Sequence, residues 1–595
     1  MIGRLECTIA CSRNEQIHWQ PFRRPDCKRN ERFSVQRFTD FSKRIHRGIG
    51  DAQGRFFVRS AFMMLLSPLL LFTTARALVA AGTSGQTFYI AANGSDANSG
   101  TSNTSPWLHA PGMPTCTGNC AAHTPAPGDQ FILRGGDTWH FGNSTASPYV
   151  GGAWNWKWNG SSGSPIYIGV DKTWYSGSVW SRPILNGDNP TSTSTTLSSC
   201  TYQVPGGNVF VNFGGKSYFT FDNFEFAGLC QSSTGSPFAQ DAYVLDGSAN
   251  HALFEHLYFH GWTHVQFNCG SQCFNAGIFV GGQGGGQQIG LQYQYIVVDG
   301  SDSDPAGAQT FYDGMYDVSY SVFTHAAQMI GSLCHLFHDN LVDNWYDPGD
   351  GHAHGNVYEC VGEAPGTNAV YNNVIRHISP NGVGQVNFWP EPDVGTTDYY
   401  FGNVMYDVRT GGNYFNIGQN SSAQGTINIF NNTFEQPANG NGVLFCNSSN
   451  SHPFTATNNN YILDGGSPYS SPCTGGTFVT ELAMTHSTAA ANGYSSTQSF
   501  VYSPTAASNP TVNKGTNVAS YCSALATAGL SDAVTACQSD TRYACTYSVS
   551  EHTVNCPTRI AVARPSGAWD IGGYQFSSTQ ASAPNAPTNL TAVVQ

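Results

Sequence analysis

The segment DYYFGNVMYD, residues 398–407, decides the fold: two short runs of strand-forming residues meet at Gly402-Asn403, and the same figure returns up and down the chain. It is CHLFHDNLVD at 334–343, NAVYNNVIRH at 368–377, TINIFNNTFE at 426–435 and TATNNNYIL at 455–463. Aligned on Asn340, Asn373, Asn403, Asn432 and Asn460, the intervals are 33, 30, 29 and 28 residues. A repeat of that length marks a solenoid, whose units bury their apolar faces only by stacking on one another. Looser copies carry the cycle upstream, as SYFTFDNFEF (217–226), NHALFEHLYF (250–259) and YDVSYSVFTH (316–325).

Between these segments lie short runs rich in Gly and aromatics, among them AGIFVGG (276–282), AHGNVYEC (353–360), GQVNFW (384–389), GNYFNIG (412–418) and GVLFCN (442–447). Each cycle therefore holds at least two strands joined by turns, with no stretch of 3.6-residue periodicity inside a cycle long enough for a helix. The reading is all-β, one coil of a parallel β-helix per cycle. A β-propeller is the alternative, but its blades repeat at a longer interval with four strands each. The aligned asparagines are expected to stack inside a bend, their amides bonding to each other and to the turn backbone. Phe221, Phe254, Phe337, Tyr371, Phe401 and Phe430 are expected to stack along the core. The Ala-rich SYCSALATAGLSDAVTAC (520–537) reads as one short helix in a region, 481–576, that breaks the pattern and caps the open end.

Charge sorts the chain into two parts. Residues 1–60 carry 13 Lys and Arg against 6 Asp and Glu, whereas residues 82–595 carry 11 against 32, a formal net charge of −21. Such a surface repels nucleic acid and anionic lipid, and accepts an anionic glycan only with a bridging cation. Between the parts, Arg55 and Arg59 precede AFMMLLSPLLLF (61–72) and a stretch of small residues, the pattern of a secretory signal. The apolar run is too short for a membrane span. Residues 58–81 thus read as a signal peptide and 1–57 as an extension without fold. The β-helix domain then covers 82–576, with its core coils at about 205–480, followed by a linker-like tail at 577–595. The expectation is a secreted monomer.

Fourteen cysteines follow the signal, an even number suited to an oxidising compartment. Proximity pairs Cys116 with Cys120, Cys269 with Cys273, Cys200 with Cys230, Cys334 with Cys360 and Cys446 with Cys473. The pairing of Cys522, Cys537, Cys545 and Cys556 stays open. CTGNC and NCGSQC lack the spacing of a zinc knuckle.

Three stretches resemble secreted right-handed parallel β-helix proteins of the pectate-lyase-like superfamily. TFYIAANGSDANSGTSNTSPW (87–107) is similar to their opening strand and turn, GDQFILRGGDTW (128–139) to the strand entering the coil, and RPSGAWDIGGYQF (564–576) to a closing strand of bacterial members. The resemblance implies a right-handed coil and makes a polysaccharide lyase or glycoside hydrolase the default. It does not choose the reaction. The Asn-Thr-Asp-Gly and Arg-Ile-Lys motifs of polygalacturonase-like hydrolases are missing, as is the Arg-rich signature of classical pectate lyases.

Candidate chemistry concentrates between 301 and 393. WYDPGDGHAHGNVYECVGE (345–363) offers His352 and His354 as acid–base groups, since imidazole titrates near neutrality. Asp347, Asp350 and Glu359 are oxygen ligands for Ca²⁺, and Asp350 serves equally as a catalytic carboxylate. Asp313 belongs to a second acidic group, whose paired carboxylates suit glycoside hydrolysis. In IRHISPNGVGQVNFWPEPD (375–393), Trp389 can stack on a sugar ring while Gln385, Asn387, Glu391 and, one coil earlier, Tyr358 bond its hydroxyls. Arg376 can neutralise a uronate or its enolate, although it follows an aligned asparagine closely enough to lie on another sheet. The bland counterpart is a solvated, turn-rich loop with Trp389 in the core and Arg376 in an ion pair. Ca²⁺-assisted elimination on a uronate-containing glycan leads, ahead of a two-carboxylate hydrolase and a non-catalytic adhesin or glycan-binding protein.

Overall fold

A computed structural model of the chain describes residues 85–578 except 192–196, 233–240, 266–276, 281–288, 304–308, 313–316, 326–334, 348–356, 362–365, 381–385, 409–412, 418–424, 437–442, 447–452, 466, 470–472, 474, 542–544 and 557–560. The expected extension at 1–57, the signal at 58–81 and nearly all of the tail lie outside the described residues.

The chain is a right-handed parallel β-helix. Sheet I has thirteen strands in chain order along the coil, from Thr87–Ile90 to Gly476–Val479. Sheet II likewise runs in chain order from Thr138–His140 to Leu482–Met484. A third wall is split into a five-stranded piece, Trp154–Asn155 to Gln309–Tyr312, and a four-stranded piece, Tyr358–Val361 to Leu444–Cys446; we call it sheet III.

Sheets I and II meet at a two-residue bend that the repeat spells out. Its first residue is left-handed: Asn372, Gly402, Asn431 and Asn458 have φ of 55°, 65°, 51° and 58°, which Gly and Asn adopt most readily. Its second residue builds the asparagine file. Nδ2 of Asn340, Asn373, Asn403 and Asn432 donates to Oδ1 of the next asparagine at 3.1, 3.0, 3.0 and 2.9 Å, and also to a sheet I carbonyl oxygen. The last member is Asn459, not the expected Asn460. Asn460 opens the following sheet II strand, and its own buried Oδ1 has no partner among the described residues. Glu481 closes the file, accepting from the backbone and side-chain nitrogens of Asn459 at 2.9 and 3.1 Å.

Counting from this file also divides the expected aromatic stack. The core position lies three residues before the file residue and holds Phe337, Val370, Tyr400 and Ile429. Phe221 and Phe254 are in the same core cluster. Tyr371, Phe401 and Phe430 lie one residue nearer the bend, and a one-residue step turns a strand side chain to the opposite face. With His338 they stack outside sheet I at 4.5, 5.0 and 4.9 Å.

The C-terminal region covers these outer faces. The expected single helix is two, Ala519–Thr527 and Ser531–Cys537, parted at Gly529 (φ 80°) and joined by the Cys522–Cys537 disulfide. They pack on Tyr371, Phe401 and Phe430. Residues from Ala489 to Tyr502 cover the outward row Val322, Leu341, Val374 and Val404 of sheet II. An antiparallel hairpin, Thr546–Ser548 with Thr553–Asn555, is closed by Cys545–Cys556 and returns to early coils, where Arg182 donates to the carbonyl oxygens of Glu551 and His552. The expected Cys116–Cys120, Cys200–Cys230 and Cys446–Cys473 bridges form. Cys269, Cys273, Cys334 and the side chain of Cys360 lie outside the described residues.

Candidate functional site

Three residues beyond the file position, sheet II turns a polar side chain outward on five successive coils. The register pairs Asp299 with Thr324, Thr324 with Asp343, Asp343 with Arg376, and Arg376 with Tyr406. Beside this row runs the outward apolar row, and over both lies the C-terminal region. They enclose a cavity of about 510 Å³ whose floor is Val322, Leu341, Val374 and Val404 and whose roof includes Gln498, Val501, Tyr547 and Tyr574. Directly after this row, His325, Asn344, His377 and Asp407 all have φ near 50°, the left-handed region, repeated on coil after coil.

The charges in the cavity are matched. Nε and Nη2 of Arg376 donate to one oxygen of Asp343 at 3.0 and 2.7 Å, and His377 Nδ1 lies 2.6 Å from the other. Arg376 Nη1 reaches the Tyr406 hydroxyl at 3.3 Å. Tyr547 donates to Asp299 at 2.7 Å, and His325 Nδ1 is 3.4 Å from the same carboxylate. Burial alone would raise both carboxyls, but the bonds from Arg376 and His377 hold Asp343 below its ordinary range, and those from His325, Tyr547 and Ser301 hold Asp299 well below. The Asp299 contact in turn raises His325. Carboxyls displaced upward, Asp246, Asp398 and Glu481 to about 7, are buried elsewhere.

The expected site residues divide between sheets. Arg376 stands in the cavity wall of sheet II. Trp389 and Glu391 stand on the sheet III strand Val386–Glu391, where Trp389 Nε1 donates to Glu391 Oε1 at 2.7 Å. The register sets Glu359 beside Trp389, and Asn387 is in the same strand as Trp389; the side chains of Glu359 and Asn387 are outside the described residues. Asp347 pairs with Pro380 at the far end of the strand that carries Arg376, again with no side chain described. Tyr358 corrects the expectation: it is fully buried, 5.2 Å from the Phe337 ring inside the coil, and presents no face to a sugar. His352, His354, Asp350, Asp313 and Gln385 lie outside the described residues. Sequence reading missed Asp299, Tyr406 and Tyr547 as cavity residues. The first two occupy the column three residues after the file position; Tyr547 has no such signal.

A second polar set lies higher on sheet II, where His260 is held between Asp302 at 2.8 Å and Glu225 at 3.2 Å. At the tight bend, Asp222, Glu255 and His256 place one donor atom each within 4.8 Å of one another, a grouping able to hold a metal. Among the described residues no helix is long and apolar enough to cross a membrane.

Fold and cavity together define a parallel β-helix with a charged, apolar-floored cavity on one sheet. No family model matches the chain, and no curated protein is similar to it. Among solved structures it is similar to a GH136 lacto-N-biosidase from Eubacterium ramulus, with 13% identity over 67% of this chain and 68% of that one and a TM-score of 0.40. It is similar also to pectate lyase Pel9A (13% identity, 83% and 97% covered, TM-score 0.36). A third is the PL6 family polysaccharide lyase Pedsa3628 from Pseudopedobacter saltans (15%, 62% and 90%, 0.34). Likeness at this level assigns no activity.

Proposed function

We propose that the chain is an exported polysaccharide-active protein that takes a sugar unit in the sheet II cavity, and that it acts as a lyase on a uronate-containing glycan. The observation that carries the reading is the cavity itself, with an apolar floor, two phenols at hydrogen-bonding positions and a guanidinium among carboxylates. The five disulfides among the described residues support export. Asp299 and Asp343 are both held ionised, so neither supplies the proton that a two-carboxylate hydrolase requires of its acid. That favours elimination over hydrolysis at this cavity. Calcium at Asp347, Asp350 and Glu359, with His352 or His354 as base, forms part of the proposal. The cavity carboxylates do not fit as its ligands, because their oxygens are engaged by Arg376, His377, His325 and Tyr547.

A second reading, non-catalytic glycan binding, is favoured by that same internal matching of charge. Incubation with a polysaccharide panel, with and without EDTA, separates the cases. New absorbance near 235 nm marks a lyase, reducing ends without it a hydrolase, and retention without cleavage a binder. Arg376→Ala should weaken whichever activity is found, and an unchanged variant removes the cavity from the proposal.

A further inference from the structure

Asp222 and Glu255 are register partners at the ends of the sheet I strands Ser217–Asp222 and Asn250–Glu255, and His256 is the left-handed bend residue that follows, with φ 54°. His256 Nδ1 lies 2.8 Å from Asp222 Oδ1 and 3.7 Å from Glu255 Oε2. The geometry points to a binding site for a divalent ion of the Zn²⁺ type, held by one imidazole nitrogen and two carboxylate oxygens. None of the three residues lines the cavity, so the inference stands apart from the glycan reading.

What distinguishes this histidine is convergence. His260, His338 and His377 also sit between two carboxylates, but each offers its partners opposite ring nitrogens: Nδ1 to Asp302 and Nε2 to Glu225, Nδ1 to Asp339 and Nε2 to Asp317, Nδ1 to Asp343 and Nε2 to Asp407. No single point can touch all three members of such a set. At His256 both carboxylates approach the same nitrogen, and metal–ligand bonds of about 2.0–2.2 Å place donors roughly 3.4 Å apart, between the two separations observed. Imidazole beside carboxylate suits Zn²⁺ better than the hard ions Ca²⁺ and Mg²⁺, which take oxygen alone.

The surroundings hold the donors in place. Tyr167 donates its hydroxyl to Asp222 Oδ2 at 2.7 Å and Asn223 Nδ2 donates to Oδ1 at 2.9 Å, the outer partners that orient a ligating carboxylate. The His256 backbone is fixed at both ends, its carbonyl accepting from Arg182 Nε at 3.1 Å and its N–H donating to Gln294 O at 3.1 Å. Its ring stacks on Tyr295 at 5.1 Å. Asp222 is buried while the His256 side chain is 37% exposed, which gives an ion a path from solvent and room for a water.

The test uses the full chain, stripped with EDTA and dialysed, then titrated with ZnCl₂ by calorimetry and by melting temperature. Cys7, Cys11, Cys27 and other histidines can also take Zn²⁺, so the difference between wild type and variant is what counts. His256→Ala and Asp222→Asn should each lose one binding event and the part of the Zn²⁺-induced rise in melting temperature that it carries. Tyr167→Phe should weaken the site about tenfold. If His256→Ala fails to fold, Glu255→Gln carries the comparison. Identical Zn²⁺ titrations for wild type and variants would overturn the inference, as would Ca²⁺ binding here as tightly as Zn²⁺.

Discussion

Arg376 places two guanidinium nitrogens on a single oxygen of Asp343, at 3.0 and 2.7 Å, and leaves the other oxygen to His377. The arrangement joins adjacent coils across the cavity wall, since the two residues are register partners. Asp343→Asn therefore strands a cation whose side chain is only 34% exposed. After allowance for solvent, the loss should be about 1–2 kcal/mol. A double-mutant cycle with Arg376→Gln in urea unfolding measures it, and a coupling energy of zero would count against a cooperative pair.

Asn459 and Asn460 are neighbours with unequal roles. Asn459 Nδ2 donates to Ile429 O at 2.9 Å, and its Oδ1 accepts from both nitrogens of Asn432. Asn460 Oδ1 is buried without a partner among the described residues. Asn459→Ala should cost roughly 2–4 kcal/mol, several buried groups losing their partners at once, and Asn460→Ala distinctly less. Equal losses would place the file one residue later, where the repeat alone puts it.

Histidine and carboxylate make opposite contributions with pH. Burial disfavours the charged form of His338, but its bonds to Asp317 and Asp339 prevail and raise it to about 9. His260 is likewise raised to about 9 by Asp302 and Glu225. Because both lie above the ordinary 6.5, their stabilisation is complete below that value and is lost as pH rises through about 9. Asp299, Asp302 and Asp343 are lowered, so theirs is present above the ordinary carboxylate range and disappears on acidification. The melting temperature should peak between these limits. His338→Gln should flatten the alkaline limb, and an unchanged limb would mean that His338 is not charged in the folded chain.

The Cys545–Cys556 bridge holds Tyr547 against Asp299 and His552 over the Tyr258 ring at 4.2 Å. Replacing both cysteines by alanine removes a loop-closure constraint of about 3 kcal/mol. The expected result is faster amide exchange at 545–556 and at Asp299, with protection of Asn403 unchanged. Exchange that spreads to the asparagine file would show that the hairpin supports the whole coil.

The coil was legible in the sequence because Asn373, Asn403 and Asn432 recur in a column and flanking strands alternate around them. What escaped was parity. Tyr371 and Phe401 look equivalent to Phe337, yet they stand one residue nearer the bend and face outward, a difference visible only once the file residue is fixed. The site was harder to read for a related reason. Arg376 and Trp389 are close in sequence, but they stand on different strands, one in sheet II and the other in sheet III. Asp299 and Tyr547, distant in sequence, meet because the C-terminal hairpin doubles back, and no local pattern encodes that return.

The hairpin that fastens Arg182, Asp299 and the roof of the cavity is synthesised some hundreds of residues after the coils it grips. During synthesis, therefore, the apolar row of sheet II stays bare until the stretch from Ala489 to Tyr502 has emerged, and the cavity above it stays unroofed on one side until the hairpin follows. A chain ending between Met484 and Ala489 would keep its coil yet display that greasy stripe, giving proteases and chaperones a ready mark by which to sort finished molecules from unfinished ones.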